Sequence, residues 1–227
     1  LAKKWLITGA SGLLGHHLCA DLASQSNTGV VGIVHKHPIE IENLQIRQLD
    51  LLNGSDVSDL IDEIQPDVIV HTVGLTSVDQ CEKDPKLAHY IHVDASASIA
   101  EWAYKLGIQM VHISTDHLWD GTQEMVLESA LPNPVNVYGK TKAAGEKGVL
   151  AANPEALIAR TNFYGPGLPW RASFSDWVLS GLKATNPLDM FTDSYFTPLA
   201  TRHLCQLLVE LVEQGAHGIY NVASSER

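Results

Sequence analysis

The sequence predicts an α/β protein built on a doubly wound parallel sheet, with a small lobe appended at its C-terminal end. Three observations lead there. Short apolar runs alternate with helically periodic stretches over the first two-thirds of the chain. The first run ends in a glycine-rich turn, Gly9 to Gly15, that opens directly into a helix. Beyond residue 164 a Gly/Pro loop interrupts the alternation.

Trp5-Leu6-Ile7-Thr8 is the first strand, and Leu13 to Ser24 carries the helical apolar period. Val30 to Val34 and Ile46 to Leu49 are the second and third strands. Ser55 is placed to N-cap a helix whose apolar residues Val57, Leu60, Ile61 and Ile64 fall at i, i+3, i+4 and i+7. Pro66 closes that helix, and Asp67 to His71 is the fourth strand. Asp84-Pro85 has the form of an N-cap followed by proline at the first helical position, opening a helix to Leu106 that Gly107 stops. Gln109 to Ser114 is the fifth strand, Pro132-Asn133-Pro134 precedes the helix of Tyr138 and Lys142, and Ala156 to Arg160 is the sixth strand. This βαβ succession, with right-handed crossovers, puts helices on both faces of one sheet.

After Gly165-Pro166-Gly167-Leu168-Pro169, helices are expected at Phe174 to Ala184 and Thr201 to Glu213, and strands at Leu188 to Phe191 and Gly218 to Val222. They read as a smaller, substrate-binding lobe over the carboxyl edge of the sheet, where ligands bind in such folds. The expected division is 1–164 for the sheet domain and 165–227 for the lobe. Leu1 is not methionine, so a start a few residues upstream is expected, and part of the lobe is expected beyond Arg227.

In the run Gly9-Ala10-Ser11-Gly12-Leu13-Leu14-Gly15 the glycines recur every third residue between strand and helix. Gly9 permits the tight turn, Gly12 admits backbone amides to a pyrophosphate, and Gly15 lets the helix pack close with its dipole aimed at phosphate. A Rossmann-type dinucleotide site follows. An NAD site usually ends its second strand in an acid that binds the ribose hydroxyls. Here the strand runs into His35-Lys36-His37 with no acid adjacent, which favours a 2′-phosphate and NADP(H), NAD(H) staying open. Asp50-Leu51, after the third strand, is expected beside the adenine.

Composition narrows the partners. A formal charge of −11 with no basic block argues against nucleic acid. No apolar run reaches the roughly 20 residues of a membrane span, and 45% hydrophobic with 18% charged residues suits a soluble globular protein. Cys19, Cys81 and Cys205 are scattered, as expected of reduced thiols in the cytoplasm. The eleven histidines include no HExxH and no paired Cys/His set, so no metal site is expected.

Tyr138 and Lys142 stand one helical turn apart on one face. An ammonium beside a phenol stabilises the phenolate and lowers the hydroxyl from its reference near ~10. Such a tyrosine suits proton transfer in carbonyl–alcohol chemistry.

With these motifs assembled, the chain resembles the extended short-chain dehydrogenase/reductase superfamily, and within it the dTDP-4-dehydrorhamnose reductase family. The likeness covers nearly the whole chain. It rests on the Gly9 loop, Pro66 to His71, Thr76-Ser77-Val78-Asp79-Gln80-Cys81-Glu82, Ile113-Ser114-Thr115-Asp116 with Asp120-Gly121, and Pro134 through Tyr138-Gly139-Lys140-Thr141-Lys142 to Gly145-Glu146. The resemblance implies NAD(P)H-dependent reduction of a keto group on a nucleotide-linked sugar, in surface-polysaccharide or deoxysugar synthesis. It implies Thr115 as the hydrogen-bond donor to the carbonyl oxygen, with Ser114 the fallback. Tyr138 would be the proton donor, and Lys142 the residue that holds the nicotinamide ribose. By the same resemblance Thr72, Val73 and Gly74 line the cofactor, and Thr76, Val78, Asp116 and His117 face the substrate. Arg160 to Phe163 border nicotinamide and substrate, with Arg160 and Phe163 on the cofactor and Asn162 on the sugar. A homodimer is compatible with it.

The chain also departs from that family. His117 stands where the family usually has tyrosine, and His92 where it usually has asparagine. Val73-Gly74 replaces an alanine pair, and Phe196-Thr197-Pro198 reverses a Pro-Thr signature. His117 is open between substrate ligand, auxiliary acid and hydrogen-bonded structural residue. Trp119, Trp170 and Trp177 are open between packing and stacking on base or sugar. Two other functions stay in view. One is a nucleotide-sugar epimerase or dehydratase on the same scaffold, the dehydratase disfavoured because His117 replaces the glutamate used in elimination. The other is a non-catalytic NADP-binding regulatory subunit like the methionine adenosyltransferase β subunit.

Overall fold

The computed structural model describes residues 3–25, 28–51, 54–184, 187–193 and 196–225, without the side chains of 54–56. Its main sheet contains β1 (Lys4–Thr8), β2 (Gly29–Val34), β3 (Gln45–Gln48), β4 (Val68–His71), β5 (Gln109–Thr115), β6 (Leu157–Thr161) and β9 (Gly218–Val222). They lie in the order β3-β2-β1-β4-β5-β6-β9, and every pairing is parallel. The direction of winding reverses between β1 and β4, which opens a crevice at their carboxyl ends.

The two-residue period of the strands divides the core into two layers. Trp5, Ile7, Val68, Val70, Val111, Leu157 and Ala159 face α1 (Leu13–Ala23) and α8 (Thr201–Glu213). Leu6, Ile69, Met110 and Ile158 face α2 (Gly54–Ile64), α5 (Ala95–Lys105) and α6 (Val137–Ala152). A one-residue slip in any central strand would exchange these layers, so burial on both faces sets the register.

Short helices follow β4. Ser77 caps α3 (Val78–Lys83), its hydroxyl accepting from the Gln80 amide, and Asp84 caps α4 (Pro85–His89) through the Leu87 amide. The helix expected from Pro85 to Leu106 passes through a π-helical turn, Tyr90–Asp94, before α5. Gly107, with φ of 66°, turns the chain out of it. The remaining elements are β7 (Phe163–Tyr164), which pairs with β8 (Leu199–Ala200), and α7 (Phe174–Ala184).

Two elements expected in the small lobe lie elsewhere. β9 adds to the main sheet beside β6, and α8 packs on α1 through Leu204, Cys205, Leu208 and Val212. Spacing alone could not distinguish a lobe strand from an edge strand of the parent sheet. Leu188 to Phe191 forms no strand; its apolar residues find no neighbouring strand there to pair with. The expected cap at Ser55 falls on a side chain outside the described set, and α2 begins one residue earlier, at Gly54.

Candidate active site

The glycine turn at the end of β1 has the shape a dinucleotide pyrophosphate requires. Gly9 takes φ of 74°, which an L side chain rarely adopts. A Cβ at Gly15 would collide with the Gly9 carbonyl oxygen. Thr72 closes the turn from the β4 side, its hydroxyl donating to the Thr8 carbonyl at 2.7 Å. The N-terminus of α1 is capped by Gly12 with no side-chain hydrogen bond and carries no acid in its first turn. Its amides and dipole thus face the crevice. Ser11, Gly12 and Leu13 are half-buried at the turn, whereas the Leu14 side chain lies in the core.

At the end of β2, His35, Lys36 and His37 are exposed. The fold brings to this strand end an acid that the sequence places only beside the adenine. Asp50, from the loop after β3, comes within 3.8 Å of His35 Nε2. Leu51 packs against the α2/α5 layer. His37 stacks on Trp170, ring centroids 6.1 Å apart and planes 6° apart, and the Trp170 indole N–H donates to the Ser11 carbonyl at 3.3 Å. Trp170 is therefore a packing residue over the glycine turn. Its neighbour Arg171 reaches across the crevice, donating to Thr76 Oγ1 at 3.1 Å. Residues 165–173 thus strap the two walls of the crevice together.

The carboxyl end of β5 meets the start of α6, whose N-cap Asn136 accepts from the Gly139 amide. This brings Thr115 and Tyr138 into a hydrogen-bonded pair. Burial raises the Tyr138 hydroxyl above the ordinary phenol value; the Thr115 hydrogen bond opposes that shift, and the Asp116 charge adds to it. This corrects the expected lowering by Lys142. The Lys142 ammonium is fully buried and donates inward to the Ile113 carbonyl at 2.7 Å. Burial drives it down to about 8, Glu146 pulling it back up.

Tyr138 lies between two imidazoles. His92 is edge-on at 5.7 Å and His117 edge-on at 5.9 Å. His92 is fully buried on the π-helical turn. Its Nε2 accepts from the Leu75 amide at 2.9 Å, so Nδ1 carries the hydrogen and donates to Thr141 Oγ1 at 2.8 Å. Burial, with the Lys142 charge adding to it, holds His92 at about 3. The ring also underlies Gly74. His92 thereby ties the β4 wall to α6.

On the other side, Asp116 accepts from Asn162 Nδ2 at 3.0 Å and lies 3.8 Å from His117 Nε2. Val78 is half-buried at the first residue of α3, and Val73 lies against Gly9.

Not every expected residue faces the crevice. Arg160 is buried on the α6 side of the sheet, where Nη2 and Nε donate to Glu146 at 2.7 and 2.9 Å. Strand alternation directs it away from the cofactor side. Ser114, the fallback donor, bonds the same Glu146 carboxylate and is turned from Thr115. Phe163 packs against the α1/α8 layer. The Arg160 guanidinium lies over Trp119 at 5.2 Å, and Trp177 packs on Phe174 at the surface of α7. His92 as a site residue, Trp170 and Arg171 have no local sequence signal beyond their type, because their partners lie many residues away.

Fold and site together are those of the extended short-chain dehydrogenase/reductase superfamily. A family model described as RmlD substrate binding domain matches residues 3–227. The probable low-salt glycan biosynthesis reductase Agl14 of Haloferax volcanii is 33% identical over 96% of this chain and 73% of its own length. The β subunit of methionine adenosyltransferase 2 from Bos taurus is 37% identical over 70% of this chain, which spans only 46% of that protein. The structure of dTDP-4-dehydrorhamnose reductase from Bacillus anthracis in complex with NADP superposes with a TM-score of 0.85 at 27% identity, covering 98% of this chain and 75% of that one. The chain belongs to the RmlD substrate binding domain family.

Proposed function

We propose that this protein is an NAD(P)H-dependent oxidoreductase that reduces the keto group of a nucleotide-linked sugar. The observation that carries the reading is the Thr115–Tyr138 hydrogen-bonded pair at the carboxyl end of β5, with Lys142 one turn along α6. A bound nicotinamide would supply hydride to the carbonyl carbon. Tyr138 then gives its proton to the carbonyl oxygen, while Thr115 donates a hydrogen bond where negative charge accumulates. The raised phenol pKa keeps Tyr138 protonated, as a donor must be before it acts. Gly9, Ser11, Gly12 and Leu13, with Thr72, Val73 and Gly74, form the cofactor wall, and Lys142 would turn from Ile113 to the nicotinamide ribose. Thr76, Val78, Asp116, His117 and Asn162 form the sugar side.

Exposed His35, Lys36 and His37 favour the 2′-phosphate of NADP(H), and Asp50 beside His35 offsets part of that preference. The NADP complex of the Bacillus anthracis relative supports the same choice. Steady oxidation of NADPH, faster than of NADH, is expected with a panel of nucleotide-linked 4-keto-6-deoxy sugars. A stoichiometric protein partner recovered by pull-down, with no oxidation across the panel, would replace this reading with that of a regulatory subunit.

A further inference from the structure

We propose that His117, backed by Asp116, is a second acid–base group of this site. It would exchange a proton on the carbon adjacent to the substrate carbonyl, without net oxidation or reduction. The proposal rests on the reading of the site as a keto-sugar reductase.

Among the described residues two imidazoles flank Tyr138 and Lys142 stands one turn along α6; of these three nitrogen bases two are committed elsewhere. His92 uses both ring nitrogens, one to Leu75 and one to Thr141. Lys142 is turned inward to the Ile113 carbonyl. His117 differs in place and exposure. Its side chain is 52% exposed, its ring stands at 89° to the Tyr138 ring, and its Nε2 lies 3.8 Å from Asp116 Oδ1. That carboxylate is itself held by Asn162 Nδ2 on one oxygen; on the other, the Thr115 hydroxyl donates at 3.4 Å until a ketone oxygen takes its hydrogen. The His117 backbone amide donates to Thr115 Oγ1 at 3.2 Å. Oxyanion donor, carboxylate and imidazole are thus consecutive residues in mutual contact.

The chemistry follows from this arrangement. Two donors on a ketone oxygen acidify the neighbouring C–H bond, because the electron pair it releases ends on that oxygen. An imidazole can take up a proton and return it, which suits it to this exchange. His117 takes the proton from the α-carbon; the C–H pair becomes the C=C bond, and the carbonyl π pair moves to the oxygen held by Tyr138 and Thr115. Return of a proton from the imidazolium to the same carbon restores the ketone. Because the ring is open to solvent, the returned proton comes from water.

The test is mass spectrometry of a nucleotide-linked 4-keto-6-deoxy sugar incubated in deuterium oxide with the protein and oxidised NADP, which has no hydride to give. Uptake of one deuterium above the protein-free rate is expected. In His117→Asn the ratio of exchange to NADPH-dependent reduction should fall at least about ten-fold. Reduction without exchange, or an unchanged ratio in the variant, overturns the proposal and leaves the reductase intact. Absence of both reduction and exchange overturns the two together.

Discussion

His92 stands edge-on to Tyr138, ring centroids 5.7 Å apart, and holds the Leu75 amide with one nitrogen and the Thr141 hydroxyl with the other. One buried ring thus joins the loop that lines the crevice to the helix that carries Tyr138, the proposed proton donor. Gly145 lets the backbone of the π-helical turn approach α6, since a Cβ there would collide with the His92 carbonyl. His92→Phe keeps the ring and removes both hydrogen bonds, leaving the Leu75 amide orphaned. A loss of about 1–3 kcal/mol in stability is expected from urea denaturation. We also expect a fall in kcat larger than any rise in KM, because Tyr138 loses its support. An unchanged kcat would separate His92 from the chemistry.

Tyr138→Phe removes the proposed proton donor and little contact area. Turnover should drop about 100-fold or more, while the dissociation constant for NADPH stays within a few-fold. Stopped-flow turnover and fluorescence titration measure the two. Near-full activity in the variant would rule out Tyr138 as the acid.

Glu146 accepts from Arg160 and Ser114 beneath α6, and both members of its ion pair are almost fully buried. Removing one partner strands the other's charge away from water. Glu146→Ala should therefore cost about 3–5 kcal/mol of stability, seen as a large fall in urea midpoint. The same change removes the carboxylate that raises Lys142, so the lysine should titrate below its present value of about 8.

Acid should unfold this protein through its buried imidazoles. Burial is the main cause holding His71 and His92 at about 3 and His112 well below its ordinary value. An unfolded imidazole takes up its proton near ~6.5. Between those values the unfolded chain binds more protons, so stability is complete above pH ~6.5 and is lost as pH falls toward 3. Three such groups set a limiting slope of about 4 kcal/mol per pH unit. The two ring nitrogens of His112 have no hydrogen-bond partner among the described residues. His112→Phe should accordingly reduce the slope by about one proton, measured from urea midpoints at pH 7, 6 and 5.

Gly15→Ala places a methyl group against the Gly9 carbonyl and the Thr72 hydroxyl. The glycine turn must open to admit it, which displaces the amides from the pyrophosphate position. Cofactor affinity should fall at least about ten-fold, or 1.4 kcal/mol, with a smaller change in thermal midpoint. Isothermal titration with NADP and a melting curve give both numbers.

Much of the architecture is legible in the chain because it depends on neighbours in sequence. The alternation of Trp5, Leu6 and Ile7, the helical spacing of Val57, Leu60, Ile61 and Ile64, and the Gly9–Gly15 turn are local patterns. The Tyr138/Lys142 pair likewise needs only one turn of helix. By contrast, Gly218 to Val222 looks the same whether it edges a lobe or extends the main sheet, and only its pairing with β6 decides.

The chain itself determined the fold class, the dinucleotide turn and the phenol–amine spacing, since periodicity and glycine geometry act over a few residues. Tertiary structure alone decided which way side chains point and whom they meet. Alternation along β6 sends Arg160 to Glu146 rather than to the crevice. The β3 loop delivers Asp50 to His35, and burial sets Tyr138 above its ordinary value while Lys142 turns inward. These contacts join residues far apart in sequence, and desolvation acts only once they are packed.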